Sequence, residues 1–301
     1  MLKLPPQDIE TERAVLGSLM IDANAIIGVT DFLLTADFYK PAHQKIYEVI
    51  LDLFNKNQPI DVLSVSTKLK EKNWLEEMVK PFSDPKVVAV QGAYKTKQKS
   101  EIANFIQLEI EERYVRMKRA NHLDWIGSYS AAYKKDIYLK EGGFDSKFEI
   151  ASGEDSDLSY RLSEKGLKLM FNPKAIVYHA HAESLENYLK KKFGHAYWRV
   201  TLYSKHRQKM MKDSYTPQEL KLQLIAISIF IVSLILSPFN LMFAHLALTA
   251  FIISIVLMLK TAKFMFDRNP TIGFISVPIL FLRDLSLIFG FGFGLLNKKS
   301  K

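Results

Sequence analysis

The sequence predicts three parts: a small helical bundle, an α/β half-domain and a C-terminal transmembrane helical hairpin followed by a third apolar segment. Three observations support this prediction. Apolar residues repeat with helical spacing up to residue 77, strand and helix patterns alternate over residues 78–200, and residues 222–259 contain no Asp, Glu, Lys or Arg. A chain of 301 residues is long enough for two ordinary domains or one domain with membrane segments.

The first 77 residues carry the signals of short helices. Asp8 and Asp61 are suited to cap helix N-termini, and Pro41 suits a first helical turn. His43 has no second His or Cys nearby, which predicts a surface or capping histidine. Apolar residues at i, i+3, i+4 and i+7 mark the inner face of the second helix: Ile46, Val49, Ile50 and Leu53.

From residue 78 the pattern changes to alternating strands and helices. A β-branched run ended by glycine predicts a strand over 86–92, and a helix is expected over 100–118. A second helix is predicted over 152–166, with acidic residues in its first turn. Two short strands are expected at 168–171 and 175–179, on either side of an Asn-Pro pair.

The uncharged stretch 222–259 predicts a helical hairpin. Its 38 residues give about 57 Å of helix, close to two crossings of a bilayer core. Ser237–Asn240 contains the Pro and Asn expected of a turn. The segment before the hairpin, 201–221, is a basic juxtamembrane segment, and both outer ends of the hairpin are basic, which places them in the cytoplasm. The flanking cations are Lys205, Arg207, Lys209, Lys212, Lys260, Lys263 and Arg268.

Residues 274–296 are also apolar but contain Arg283 and Asp284. A full third crossing would carry the basic tail (Lys298, Lys299 and Lys301) to the outside, against the positive-inside bias. A re-entrant or interfacial segment is therefore favoured over a third membrane crossing, with the Arg-Asp pair joined or at headgroup level.

Charge and composition exclude several classes of protein. The chain has no cysteine, which excludes a disulfide scaffold and a Cys-ligated metal site. The net charge of +9 is concentrated beside and within the apolar third: residues 1–77 carry 8 basic and 12 acidic groups, whereas 184–221 carry 9 and 3. This placement favours membrane lipids as partners, and no direct nucleic-acid binding is expected. The alternative, a buried helical pair in a soluble core, lacks enough chain to cover it.

An acidic cluster at 153–157 (GEDSD) allows three interpretations. It is an ordinary acidic first turn, a metal-binding DxD, or a general base at a helix N-terminus. The DxD interpretation is disfavoured because Ala-Ser-Gly, rather than a buried strand, precedes the cluster. A carboxylate at a helix N-terminus is expected to stay ionised and to accept a proton from an attacking hydroxyl.

Two resemblances sharpen these expectations. The segment PPQDIETERAVLGSLMIDANAI, with DFYKPAHQKIYEVILDLFNKNQPIDVLSVSTKLKEKNWLEE, resembles the N-terminal domain of DnaB-type replicative helicases. That resemblance implies a helical module able to contact helicase subunits or primase. The sequence contains no G-x-x-x-x-G-K-[ST] loop, so no helicase ATPase is expected.

GGFD followed by GED-x-DL-x-x-RL-x-x-x-G resembles the C-terminal half of a membrane-bound family 2 glycosyltransferase with the GT-A fold, over about residues 78–200. The resemblance implies that Asp155, beside Glu154, is the base that activates the acceptor hydroxyl for inverting transfer from a nucleotide-sugar. It places Trp125, Gly127, Ser128, Trp198 and Arg199 on the acceptor side, the last two because they loosely match the Q-x-x-R-W patch. Arg161 is expected to pair with an acidic neighbour.

The same resemblance implies a divalent cation, Mg²⁺ or Mn²⁺, near the donor diphosphate, with His179 as the candidate residue. The alternative for His179 and His181, two apart, is a polar strand end. The family's first strand, nucleotide pocket and main metal motif are not visible in the sequence. The chain is therefore interpreted as a composite, a truncated helicase module joined near Glu77-Met78 to a truncated transferase.

Three functional hypotheses follow. The first is an inner-membrane, multi-pass glycosyltransferase-like protein with its N-terminal and transferase parts in the cytoplasm, impaired because the donor-binding half is missing. The second is a replication-associated interaction module without motor activity. The third is a non-natural junction without a selected function.

Overall fold

A computed structural model describes residues 8–120, 122–146, 148, 153–211 and 213–298. The chain divides into two compact units, residues 1–76 and 77–301, and each is described by itself. Ser152, the predicted first residue of a helix, lies outside the described residues, as do Pro5, Pro6, Lys212, Lys299 and Lys301.

The first unit is a helical bundle, as predicted. Helices α1 (Ile9–Ile21) and α2 (Pro41–Asn55) are followed by α3 (Val62–Val79), which continues past residue 76. Asp8 caps α1 by accepting from two backbone N–H groups. The prediction for His43 was wrong: its ring is buried, and its Nδ1 lies 2.7 Å from an Oε2 of Glu12. A neighbouring helix supplies that carboxylate, so spacing along the chain could not reveal it.

The second unit contains a three-stranded sheet with the order β2-β1-β3. Strand β1 (Val87–Lys95) pairs antiparallel with β2 (Ala131–Tyr133) and parallel with β3 (Lys168–Tyr178). The two strands predicted around Asn172-Pro173 form one strand instead. The pairing of β1 with β3 shifts register after Gly92, opposite Asn172, so the Asn-Pro pair lies at an irregularity that does not end the strand.

Helices surround this sheet. They are α4 (Glu101–Arg119), α5 (Lys135–Lys140), α6 (Glu154–Glu164), α7 (Leu185–Lys205) and α8 (Arg207–Met211). The buried core between sheet and helices includes Val88, Ala89, Ile110, Leu158 and Leu169.

Three apolar helices complete the chain: α9 (Gln218–Leu236), α10 (Leu241–Phe266) and α11 (Pro270–Lys298). Each is long and apolar enough to cross a membrane. The predicted turn between the first two is confirmed, because Asn240 caps α10 by accepting from the Met242 N–H at 2.9 Å. The third forms one helix through residues 274–296, so its course across or along the bilayer stays a prediction.

Helix α11 packs closely against α7 because glycines allow the two backbones to approach. A Cβ placed on Gly290 would lie 2.3 Å from the Phe193 carbonyl oxygen, and one on Gly294 would lie 2.5 Å from that of Tyr197. On the same helix, Arg283 donates to the Asp284 carboxylate at 2.7 Å, so the predicted Arg-Asp pair is formed.

Candidate active site

Asp155 lies in the first turn of α6, two residues after Gly153. Gly153 has a φ of 126°, a conformation that residues with a Cβ rarely adopt, and this sharp entry starts the helix. The Oδ2 of Asp155 accepts from the Ser128 N–H at 3.3 Å, and its Oδ1 accepts from the Ser156 N–H at 2.7 Å. The carboxylate is therefore held between the helix and the segment that precedes β2.

That preceding segment, residues 125–129, is fastened to α6 by two further hydrogen bonds. The Trp125 indole Nε1–H donates to the Ser156 hydroxyl at 2.9 Å, and the Ile126 N–H donates to the Ser159 hydroxyl at 3.0 Å. Ser159 in turn donates to the Asp155 carbonyl oxygen at 2.6 Å. All three of these serine hydrogen bonds are buried or partly buried. They therefore hold residues 125–129 firmly in position against α6.

Gln91 connects the same segment to the sheet. Its side-chain carbonyl accepts from the Gly127 N–H at 3.0 Å, and its amide donates to the Tyr129 hydroxyl. Gly127 is required where it stands, because a Cβ there would lie 2.3 Å from the Tyr129 ring and 2.8 Å from the Trp125 ring. The tight loop thus brings the predicted residues Trp125, Gly127 and Ser128 together beside Asp155.

Burial controls the protonation of this carboxyl group. It raises the pKa of Asp155, outweighing the Ser128 and Ser156 hydrogen bonds, and the neighbouring Glu154 charge raises it further. The expectation that the Asp155 carboxylate stays ionised remains a prediction. A pKa raised toward the working pH suits a general base, since proton transfer to it becomes more favourable. One Glu154 oxygen is buried with no hydrogen-bond partner among the described residues.

An aromatic layer lies behind Trp125. Its ring is 4.4 Å from that of Tyr215, and the Arg113 guanidinium lies 4.0 Å from the Tyr215 ring centroid. Arg199 lies 4.9 Å from the same centroid, and Trp198 packs on the cluster that contains Trp125. The two predicted residues of α7 therefore join the site through Tyr215 and the shared aromatic cluster.

The third acidic residue of the cluster, Asp157, has a structural role. It accepts from Arg161 at 2.9 Å and lies 3.1 Å from a ring nitrogen of His206. Arg161 also donates to the backbone carbonyls of Glu141 and Gly143, which belong to the GGFD region. The expected pairing of Arg161 with an acidic neighbour is thus observed.

His179 does not join the Asp155 group. Its ring packs 5.3 Å from Tyr94 and 5.5 Å from His181, whose own Nε2 lies 3.0 Å from Gln107. Burial, followed by the charges of His179 and Lys191, lowers the pKa of His181 to about 4. A divalent cation that bridges a diphosphate requires oxygen ligands, and the described part of the chain contains no group of three metal-ligating side chains. The divalent cation, with His179 beside it, therefore stays a prediction.

Sequence reasoning missed Gln91, Ser156, Arg113 and Tyr215. Gln91 had a detectable signal, because it is a polar residue inside the apolar run of β1. Ser156 lies within the predicted cluster but was passed over for its carboxylates. Arg113 and Tyr215 are separated by about 100 positions, so no local pattern connects them.

Together, the small sheet, the carboxylate-bearing helix and the apolar C-terminal helices define a membrane-associated glycosyltransferase domain. The family model "Glycosyl transferase family 21" matches residues 58–299, so the chain belongs to that family. The predicted glycosyltransferase domain is confirmed, and the matching family is family 21. A second model, "DnaB-like helicase N terminal domain", matches residues 4–83, and the two overlap over 58–83.

The curated relatives match only the N-terminal quarter. The chain is 39% identical over 74 residues to the replicative DNA helicase DnaB of Mycobacterium leprae, covering 25% of this chain and 12% of that protein. It is 38% identical over 76 residues to the DnaB of Geobacillus stearothermophilus and 40% identical over 76 residues to the replicative helicase DnaC of Bacillus subtilis. These matches cover 25% of this chain and 17% of each of those proteins. The predicted combination of the two families in one chain is confirmed, whereas the junction near Glu77-Met78 and the truncation of each part stay predictions.

Proposed function

We propose that this chain is a membrane-anchored, inverting glycosyltransferase-like protein in which Asp155 is the general base. The observation that carries the proposal is the position of its partly exposed carboxylate, held by the Ser128 and Ser156 N–H groups beside Trp125. The family 21 match supports the class of reaction, with a nucleotide-sugar as donor and a hydroxyl group as acceptor.

In the proposed step, the Asp155 carboxylate accepts the proton of the acceptor hydroxyl as its oxygen attacks the anomeric carbon. The bond from that carbon to the diphosphate breaks, and the nucleoside diphosphate leaves with the bonding electron pair. Trp125, Gly127 and Ser128 line the acceptor side, with Trp198 and Arg199 behind them. Glu154 adds negative charge that keeps the base a strong proton acceptor.

We also propose that catalysis is impaired in this chain. The sheet has three described strands, and no group of three metal-ligating side chains is found among the described residues. Without charge neutralisation by a cation, the leaving group loses several kcal/mol of transition-state stabilisation. Slow or undetectable turnover is therefore expected of the purified chain.

The test is sugar transfer by the full chain reconstituted in vesicles, supplied with a panel of radiolabelled nucleotide-sugars and a lipid extract. Any transfer is expected to be slow and to fall by about 100-fold or more in Asp155→Asn, which cannot accept the proton. Asp136→Asn is the matched control, because Asp136 is an exposed carboxylate on α5.

Rapid transfer by the wild-type chain would contradict the proposed impairment while leaving the base assignment intact. Equal transfer by wild type and Asp155→Asn would contradict the base assignment itself.

A second candidate function is a replication-associated interaction module. Two observations favour it. The first unit is similar to helicase N-terminal domains, and it folds as a separate compact unit. In this proposal the bundle contacts a replicative helicase or primase while the apolar helices hold the protein at the membrane.

The detergent-solubilised full chain is expected to retain purified helicase or primase on beads, whereas a chain beginning at residue 77 is not. Retention by both chains, or by neither, would argue against this second function.

A further inference from the structure

A cavity of the second unit lies between the α/β half and the apolar helices. Its volume is about 1030 Å³, and its walls come from α4, α7, residues 210–211 and 215–229, together with parts of α10 and α11. Charged side chains, most of them on α4 and α7, form one part of the lining. Another part consists of apolar residues of candidate membrane helices, such as Ile225, Phe264 and Ile288. The lining therefore combines basic and apolar residues.

The charged part of the lining is strongly basic. Eight of the lining residues are Lys or Arg, whereas three are Glu. Two of these glutamates already have cationic partners: Glu109 lies 2.8 Å from Lys192 and 3.2 Å from Arg283, and Glu219 pairs with Lys260. The third, Glu112, accepts from the Thr261 hydroxyl at 3.1 Å. The acidic groups are thus engaged, and a surplus of positive charge remains.

Three arginines supply this surplus. Arg113, Arg116 and Arg199 have no carboxylate within 4.0 Å among the described residues of the second unit. Arg113 is buried against the aromatic rings of Trp125 and Tyr215, and the Nε of Arg116 is buried without a hydrogen-bond partner. The guanidinium group of Arg199 donates hydrogen bonds to the hydroxyls of Tyr203 and Thr216. Carboxylates act on each of the three only from beyond 4.0 Å, so guanidinium groups without a direct ion pair remain to bind an anionic ligand.

The neighbouring titratable groups report the same positive field. Burial, followed by the charges of Lys192, Arg199 and Arg113, lowers the pKa of His195 to about 4. Burial alone would raise the pKa of Tyr215, but Arg113, Lys192 and Arg199 outweigh it and lower that pKa.

We infer that this cavity binds the phosphate headgroup of an anionic membrane lipid, with the phosphate at Arg113, Arg116 and Arg199 and the acyl chains along α9 and α11. A lining that combines basic and apolar residues matches a lipid better than a free anion, which would leave the apolar residues without a ligand. Guanidinium groups suit phosphate because they donate parallel hydrogen bonds. Basic pockets beside membrane helices bind headgroups of this kind.

The test of this site does not depend on the proposed transferase activity, because it measures lipid binding directly. The full chain, purified in detergent and stripped of lipid, is titrated with phosphatidylglycerol or with phosphatidylcholine while native mass spectrometry counts the bound lipids. Wild type is expected to retain phosphatidylglycerol at concentrations where phosphatidylcholine does not bind. Arg116→Gln is expected to weaken that binding about tenfold, equivalent to ~1.4 kcal/mol.

Two further variants keep the result interpretable. Arg113→Gln with Arg116→Gln is expected to abolish the selectivity for the anionic lipid. Lys118→Gln with Lys99→Gln removes two exposed positive charges outside the cavity and is expected to bind like wild type. Arg116→Lys, which keeps the charge, is expected to recover part of the affinity if the protein folds normally.

Equal binding of the two lipids by wild type, or unchanged selectivity in Arg116→Gln, would overturn the inference. Complete displacement of phosphatidylglycerol by millimolar inorganic phosphate would show a site for a free anion and would also overturn it.

Discussion

Ser156 links the indole of Trp125 to the Asp155 carboxylate. It accepts from the indole N–H at 2.9 Å and donates to an Asp155 oxygen at 3.2 Å. Ser156→Ala would leave a buried indole N–H without its acceptor, so unfolding free energy is expected to fall by about 1–3 kcal/mol. The loss of the hydroxyl also removes a contact that lowers the pKa of Asp155, so that pKa is expected to rise.

Chemical denaturation followed by tryptophan fluorescence measures the first effect, and the pH dependence of transfer measures the second. Ser163→Ala is the matched control, since that hydroxyl donates only to the Tyr160 carbonyl within the same helix and its loss is expected to have little effect. Identical stability of the two variants would show that the Trp125 contact contributes nothing.

His206 predicts a pH dependence of stability. Burial alone would lower its pKa, but hydrogen bonds with Asp157 and Glu164 outweigh this and raise it. A histidine whose pKa is raised by folding stabilises the protein fully below its unfolded pKa, and this contribution is lost as pH rises through the folded value. For Asp157, burial raises the pKa, but His206, Arg161 and Lys205 lower it overall, so its contribution is lost as pH falls.

Both contributions are present together between roughly pH 4 and 6.5, the unfolded values of the two groups. The melting temperature is therefore expected to be highest in that window and lower above it. His206→Gln is expected to reduce the fall in melting temperature above that window. The control is His122→Gln, which replaces an exposed histidine and is expected to leave this fall unchanged. An unchanged fall in His206→Gln would contradict the argument.

At the residue scale, the sequence predicted the acidic cluster and the loop but not what they contact. Asp155, Trp125, Gly127 and Ser128 were found because they fall in short recognisable motifs. Gln91 and Tyr215 reach the site only through the folding of distant segments. The raised pKa of Asp155 was likewise unpredictable, because burial by neighbouring elements outweighs the local helix N-terminus.

At the scale of elements, the contact between α7 and α11 depends on glycine. Gly290→Ala would place a methyl group 2.3 Å from a backbone oxygen of α7, so the helices must separate. We expect destabilisation of about 1–3 kcal/mol, as for other overpacked interfaces. Gly292→Ala is the matched control, because a Cβ there has nothing within 4 Å and alanine favours the helix.

Thermal unfolding in detergent compares the two variants directly. A lower melting temperature is expected for Gly290→Ala and an equal or higher one for Gly292→Ala. If both behave alike, the close approach of the two helices is not what stabilises this contact.

Helix and turn signals predicted most elements of the chain to within a few residues. The N-cap Asp8, Pro41 at the start of α2 and the turn that contains Asn240 act locally and were therefore recognisable. The interruption predicted at Asn172-Pro173 did not occur, because pairing of β3 with β1 on both sides of the irregularity keeps the strand continuous. Tertiary pairing overrides a local turn signal in such cases.

At the scale of the whole molecule, the two family matches explain why the positive charge is uneven. The unit that resembles a helicase domain is acidic, whereas the region around the apolar helices is basic. Several of the basic groups there line a cavity beside the membrane helices, which favours lipid over nucleic acid as the partner.

The course of α11 gives a prediction about membrane topology. Its C-terminal end lies against α7, where Asn297 donates to the Tyr197 hydroxyl at 3.2 Å, and α7 is joined to α4 by the Lys192–Glu109 pair. The end of α11 is therefore expected on the same side of the membrane as the α/β half, as for an interfacial or re-entrant segment. The turn around Phe239, which is 83% exposed, is expected on the opposite side.

The absence of cysteine allows single cysteines to report these positions. In intact cells, a membrane-impermeant maleimide is expected to label Phe239→Cys but to label Leu296→Cys and Lys140→Cys only after permeabilisation. Lys140 serves as the reference because it is exposed on α5 of the α/β half. Labelling of both Phe239→Cys and Leu296→Cys from outside would instead establish a third crossing, and the contact between α7 and the end of α11 would then have to break in the membrane.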